Sequence, residues 1–97
     1  MANERSSRVL VRIPLALSAL TDGRRLLRVP GRTVGEVLSA LEDRYPALHS
    51  MLRDSGGQLR QHILVFLDSQ DIRARESENT PVSAESEVAI LSAIEGG

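Results

Sequence analysis

The sequence has 97 residues and no cysteine, and its formal net charge is −1 at neutral pH. This length predicts one small domain, and without cysteine the chain offers no disulfide, thiolate nucleophile or thiolate metal ligand. The small net charge argues against a general electrostatic grip on nucleic acid. No apolar stretch is long enough to span a bilayer, so no membrane partner is expected.

The first part of the chain predicts two strands joined by a fairly long connection. Val9, Val11 and Ile13 alternate with other residues, which is the period-2 pattern of a half-buried strand. A turn signal over residues 21–23 precedes a second strand over residues 24–29. The two strands are expected to pair as a hairpin.

The apolar residues after Arg8 faintly resemble the core of a secretion signal. Arg12 interrupts this run, and the uninterrupted part is barely long enough for such a signal. We therefore expect a cytoplasmic location.

The clearest helix start is at Thr33, which can accept a hydrogen bond from an unpaired amide while Glu36 reaches back to the cap. Apolar positions then follow at spacings of three and four and share one helix face: Val34, Val37, Leu38, Leu41 and Tyr45. Glu42 and the two residues after it are expected to face water, and Pro46 ends the helix. Beyond it, one more short helical turn is expected on the core, with three apolar residues: Leu48, Met51 and Leu52.

The remaining strands follow a glycine-containing loop. Residues 62–67 form the most apolar strand candidate, which we expect to be central. Ile72 is expected to begin a short edge strand, because charged residues follow it. A polar connection over residues 76–87 leads to a β-branched, apolar run over residues 87–91 that predicts the last strand.

This order of elements predicts an α+β fold, in which one main helix packs across a mixed sheet of four to five strands. Residues 1–7 are expected to be a disordered segment, residues 8–94 the domain, and residues 95–97 a flexible tail. If the last strand pairs beside the first in the middle of the sheet, only the tail projects.

The tail ends in Gly96 and Gly97, which have no Cβ atom and could enter a channel too narrow for other residues. Fully extended, residues 93–97 reach roughly 15–18 Å. A glycine pair at a chain end is also compatible with a frayed terminus or a cloning remnant.

Other site chemistries have little support in the sequence. His49 and His62 lack the spacing of metal ligands, and no motif supports a catalytic triad. A cluster of arginines has no interleaved aromatic residues, and a solvated hairpin face explains it better than RNA binding: Arg24, Arg25, Arg28 and Arg32. We therefore expect no metal site, no catalytic residues and no nucleic-acid partner.

The chain resembles the MoaD/ThiS family of ubiquitin-like sulfur carriers in four segments. These are residues 33–38 at the helix start, 67–73 after the third strand, 87–91 in the last strand, and the final Gly-Gly. The resemblance implies a β-grasp fold. The family often has proline before the tail and an Asp-Gly-Asp turn before the last strand, and this chain has neither, so the subfamily stays open.

The resemblance also implies a chemistry. An E1-like enzyme of the MoeB/ThiF type would use ATP to adenylate the Gly97 carboxylate, and sulfur would displace AMP to leave a thiocarboxylate. The tail, Glu95, Gly96 and Gly97, would enter the partner's active site. The chain itself would be no enzyme and would bind no cofactor.

Several recipients of the sulfur stay open at this point. A downstream sulfur-accepting enzyme could make cysteine, molybdopterin or a sulfur-containing metabolite, and in the molybdopterin case this chain would be the small subunit of the synthase. A protein modifier that joins Gly97 to lysines, and a plain β-grasp binding module, are alternatives of other classes.

A docking patch for the partner is expected on the sheet face opposite the core. If Val88 and Ile90 point inward, Leu91 points outward. On the third strand Leu64 and Phe66 would point outward, or inward after a one-residue slip of the register. Four residues form the predicted patch, of which Ile94 could instead be the last core contact: Phe66, Leu64, Leu91 and Ile94.

Overall fold

The computed structural model describes residues 8–93 of the chain. The predictions for residues 1–7 and for Ile94, Glu95, Gly96 and Gly97 lie outside the described residues. Within them the strands are β1 (Arg8–Arg12), β2 (Leu26–Pro30), β3 (Ile63–Leu67), β4 (Gln70–Asp71) and β5 (Glu87–Ser92). The helices are α1 (Val34–Arg44) and α2 (Ala47–Leu52), with 3₁₀ turns at Leu15–Thr21, Ile72–Ala74 and Ser77–Asn79.

The five strands form one mixed sheet in the order β2-β1-β5-β3-β4. β5 runs parallel to β1, and the other neighbouring pairs are antiparallel. This arrangement confirms the predicted β-grasp fold. The middle strand of the sheet is β5 rather than β3, because β1 and β2 lie on one side of it and β3 and β4 on the other.

The core lies between the sheet and α1 and is aliphatic. Alternate residues of the strands point into it, as the period of a strand requires, and α1 contributes one apolar face. The fully buried side chains on these elements include Val9, Val11, Val29, Val34, Val37, Leu38, Leu41, Val88 and Ile90. Within residues 8–93, no helix combines the length and the hydropathy needed to cross a bilayer.

One of the two hydrogen bonds predicted at the start of α1 is present, and the other has a different partner. The Thr33 hydroxyl accepts a hydrogen bond from the Glu36 amide at 3.1 Å. The Glu36 carboxylate, however, accepts from the Arg32 amide at 2.9 Å, one residue before the predicted partner. Both bonds satisfy amides at a helix end that has no internal partner for them.

The long connection predicted between β1 and β2 contains the 3₁₀ turn Leu15–Thr21, which buries Leu17. Two local predictions are wrong. Met51 lies on the outer side of α2, with 44% of its surface exposed. Ile72 begins a 3₁₀ turn instead of a strand, because the Asp71 carboxylate accepts a hydrogen bond from the Arg73 amide at 2.9 Å and caps that turn.

Glu42 is also placed differently from its prediction, since only 8% of its surface is exposed. α2 folds back against α1 and brings Arg53 to it, so that Arg53 Nε donates to Glu42 Oε2 at 2.9 Å. The two terminal nitrogens of Arg53 donate to the Glu78 carboxylate at 3.0 and 2.8 Å. Bonding to Glu78 raises the pKa of the Arg53 guanidinium above its usual value, so it stays charged.

We expect Arg53→Met to lower the free energy of unfolding by about 3–5 kcal/mol, because it leaves two carboxylates without their buried cation. Urea denaturation of the variant measures this loss. Arg75→Met is the matched control, since Arg75 is exposed and its replacement should cost less than about 0.5 kcal/mol. Equal losses in the two variants would contradict the argument that removal of Arg53 leaves buried carboxylates uncompensated.

Candidate docking face and tail root

The side chains of β5 alternate between the core and the outer face of the sheet. Val88 and Ile90 are buried, while Leu91 is 43% exposed. On β3, the alternate residues Ile63, Val65 and Leu67 are buried in the core. Leu64 and Phe66 point to the other face and are half-buried. The structure therefore selects the first of the two registers that the sequence left open.

The outward residues of β3 and β5 meet at one corner of the sheet. Leu64 lies opposite Leu91, and Phe66 lies opposite Ala89. We call these four residues the apolar corner. Leu64, Phe66 and Ala89 are half-buried and Leu91 is exposed, and apolar side chains grouped at the surface in this way are typical of sites that protein partners use.

Charged residues border the apolar corner on the side of β1. Arg12, which is level with Ala89 on the neighbouring strand, donates from Nε to Glu87 Oε2 at 2.8 Å. This bond raises the pKa of Arg12. The Asp68 carboxylate in turn accepts from the Glu87 amide at 2.9 Å. A partner that covers the corner therefore meets an apolar centre with a polar rim.

The described part of the chain ends beside this corner. Ser92 is level with Ile63, and the Ala93 amide donates to the His62 carbonyl at 2.7 Å. We call Ala93 and His62 the tail root. It fixes the end of the described chain next to Leu64 and Leu91.

The remaining candidate residues have structural contacts. His49 Nδ1 lies 2.9 Å from Glu42 Oε1 on the helical side of the molecule, whereas His62 is at the tail root. Within residues 8–93, no three potential ligands are close enough to hold a metal ion. In the arginine cluster, Arg25 donates to the Ile13 carbonyl at 3.2 Å and so helps to close the β1–β2 hairpin.

Comparison with known proteins places this geometry in a family. The model of the ThiS family matches residues 16–97, which is most of the chain and includes both terminal glycines. The chain belongs to the ThiS family.

Relatives within and near this family have similar length. The sulfur carrier protein CysO of Mycobacterium tuberculosis is 32% identical over 91 residues, which cover 92% of this chain and 98% of that protein. A chain of the Amycolatopsis orientalis BexX/CysO complex is 28% identical, with a TM-score of 0.83 over 92% of this chain and 99% of that one. The small archaeal modifier protein 1 of Methanosarcina acetivorans is also 28% identical, with a TM-score of 0.83, and covers 95% of this chain and 98% of its own.

The alternation on β5 can be tested by two neighbouring substitutions. Ile90→Ala should lower the free energy of unfolding by about 2–5 kcal/mol, because it opens a cavity in the core. Leu91→Ala should cost less than about 1 kcal/mol, since its side chain is half in water. Urea denaturation of both variants checks the difference, and a larger loss for Leu91→Ala would mean that the apolar corner is part of the core.

Proposed function

We propose that this protein is a sulfur carrier whose Gly97 carboxylate is activated by a separate enzyme and converted to a thiocarboxylate. The main support for this proposal is the position of the tail root beside the apolar corner, in a chain whose match to the family model extends through Gly97. In this proposal a rigid sheet presents the last four residues next to a surface suited to docking.

The proposed chemistry needs nothing from this chain except its terminal acid. The Gly97 carboxylate oxygen attacks the α-phosphorus of ATP, pyrophosphate leaves, and an acyl-adenylate forms. Hydrosulfide, HS⁻, then attacks the carbonyl carbon, the bond to AMP breaks, and loss of the S–H proton leaves the thiocarboxylate. Adenylation is needed because AMP is a far better leaving group than oxide. The groups that catalyse both steps belong to an E1-like partner of the MoeB/ThiF type, so the chain acts as carrier rather than enzyme, in the cytoplasm where ATP is present.

The tail contributes reach and thinness. Glu95, Gly96 and Gly97 would enter the active site of the partner, and the absent Cβ atoms of the glycines let the carbonyl carbon approach closely. The apolar corner, together with Ile94, would hold the partner. Because this corner is built on regular strands, it does not have to be ordered when the partner binds.

Among the recipients that the sequence left open, similarity to proteins named CysO favours the cysteine-forming branch over the small subunit of molybdopterin synthase. A second candidate function is protein modification through Gly97, which the similarity to small archaeal modifier protein 1 favours. Both functions begin with the same adenylation and differ in the nucleophile that follows.

The mass of the intact protein, made together with its native activating enzyme, separates these functions. We expect a fraction of the chain to gain the mass difference of one sulfur for one oxygen, located on Gly97 by fragmentation. Adducts in which Gly97 is joined to lysines of other proteins would instead support the modifier. One residue added after Gly97 should abolish the exchange and leave the fold unchanged, and sulfur transfer by that extended chain would refute the mechanism.

The docking role of the apolar corner predicts a change in KM. We expect Leu64→Ser combined with Leu91→Ser to raise the KM for this protein in the adenylation reaction about 30-fold, since central apolar contacts of an interface contribute 2 kcal/mol or more. The kcat should change little, because the tail is intact.

Leu26→Ser is the matched control for this variant. Leu26 is an exposed leucine on β2, which lies two strands away from β5 on the same sheet. It should leave KM unchanged. If Leu26→Ser raised KM as much as the double variant does, the docking surface would lie elsewhere. The same would follow if the double variant left KM unchanged.

A further inference from the structure

The outer face of the sheet has a second half, formed by β1 and β2, to which no function has been assigned. Three of its side chains are arginines: Arg8 and Arg12 on β1, and Arg28 on β2. Arg28 is level with Leu10, which makes it a diagonal neighbour of both other arginines, with about 7–8 Å between the residues. We call the three arginines the basic patch.

The basic patch lies on the same side of the sheet as the apolar corner and is continuous with it. Val9 and Val11, which alternate with the arginines of β1, are buried in the core, so the arginines point to the outer face and are exposed. Arg12 is level with Ala89, a member of the apolar corner. A protein that covers the corner therefore comes within reach of Arg12.

Only part of the charge of the basic patch is neutralised by neighbouring residues. Arg12 donates to Glu87 through Nε, and within residues 8–93 its two terminal nitrogens have no hydrogen-bond partner. Arg28 donates from Nη1 to the Ala84 carbonyl at 3.4 Å, which is a long bond to a neutral group. In the part of the chain that the structure describes, neither Arg8 nor Arg28 has an ion-pair partner.

The positive charge is a property of this face and not of the whole protein. The basic patch has three arginines against the single carboxylate of Glu87, whereas the formal net charge of the chain is −1. The rest of the chain therefore carries an excess of negative charge. A protein with charges separated in this way is oriented by the field of an oppositely charged partner before the two surfaces touch.

A protein surface with carboxylates fits the basic patch better than the other candidate partners do. β1 and β2 contain no aromatic side chain on which a base could stack, and the adjoining apolar corner offers nothing to a phosphate backbone. A second copy of this chain, placed with patch against patch, would bring like charges together. Carboxylates beside an apolar surface would match both halves of the outer face.

We propose that the basic patch orients this protein on its activating enzyme, whose docking surface carries carboxylates opposite Arg12 and Arg28. The terminal nitrogens of Arg12 bind a carboxylate directly, while Arg8 and Arg28 attract the enzyme over a longer range. This inference rests on the proposed function, because it specifies the partner of the same sheet face. The apolar corner supplies the central contact, and the basic patch selects the orientation in which it forms.

The rate of association with the native activating enzyme, measured by stopped flow without ATP, tests the long-range attraction. At about 50 mM salt, Arg28→Gln should lower this rate roughly two- to fivefold. The difference should vanish at about 500 mM salt, where the Debye length falls to about 4 Å. Arg75→Gln is the matched control, since it removes the same exposed charge beyond β4, at the other edge of the sheet from β2. Equal rates for the two variants at low salt would overturn the proposal.

A charge swap tests the direct contact of Arg12. Arg12→Glu combined with Glu87→Arg keeps an ion pair at this place but puts a carboxylate where the enzyme should meet an arginine. We expect the KM for this protein in the adenylation reaction to rise about tenfold, with an unchanged midpoint of urea denaturation. An unchanged KM would overturn the direct contact. If the swap lowered the midpoint, Arg28→Gln would still decide, because it breaks no ion pair among the described residues.

Two further measurements separate the alternative partners. Binding of a single-stranded RNA oligonucleotide that Arg28→Gln weakens would overturn the proposal in favour of a nucleic acid. Self-association in sedimentation that the same variant abolishes would overturn it in favour of a second copy. If instead the proposed function failed, the unsubstituted chain would form no adenylate, whereas the association rates need no ATP and would still report on the basic patch.

Discussion

The parallel pairing of β5 with β1 is the constraint on which the rest of the structure depends. It places the last strand in the middle of the sheet, where β1 holds one side and β3 the other. An edge strand would leave one row of backbone groups open to other chains. Because β5 is paired on both sides, its end is fixed relative to the whole domain. The tail root is therefore as rigid as the sheet, and the residues after it start from a defined point.

The same alternation that builds the core also builds the apolar corner. In β5, Val88 and Ile90 pack against the helix side, which forces Leu91 to the other face. β3 repeats this pattern in register, so that Leu64 meets Leu91. A slip of one residue would bury the corner and expose the core. Stability of the fold and exposure of the docking face are thus consequences of one register.

The sequence was sufficient for the features that depend on local periodicity. The apolar face of α1 and the period of β1 follow from spacing, and the β-grasp fold follows from the family resemblance. The register of β3 could not be predicted, because both faces of the segment 62–67 are apolar and only its pairing with β5 distinguishes them. Ile72 was misassigned because its β-branched side chain favours a strand, while the cap by Asp71 decides the local conformation.

Glu42 shows a different limit. A glutamate on the polar side of an amphipathic helix normally faces water, and nothing within α1 signals that it is buried. Its partner Arg53 comes from the end of α2, and Glu78 from the connection before β5, so the network exists only in the folded chain. Buried ion pairs of this kind contribute little net stability, because desolvation offsets their attraction. Here the network fixes the segment 53–57 against Glu78.

β3 supplies half of the apolar corner, and its position is set almost entirely by one neighbour. β5 pairs with it along all five residues, whereas β4 pairs only with Phe66 and Leu67. The outward direction of Leu64 is therefore decided by the register with β5 and not by an outer strand. Because the same pairing sets Leu91 opposite Leu64, the surface that a partner would meet is formed by the strand pairing itself, and binding need not first order it.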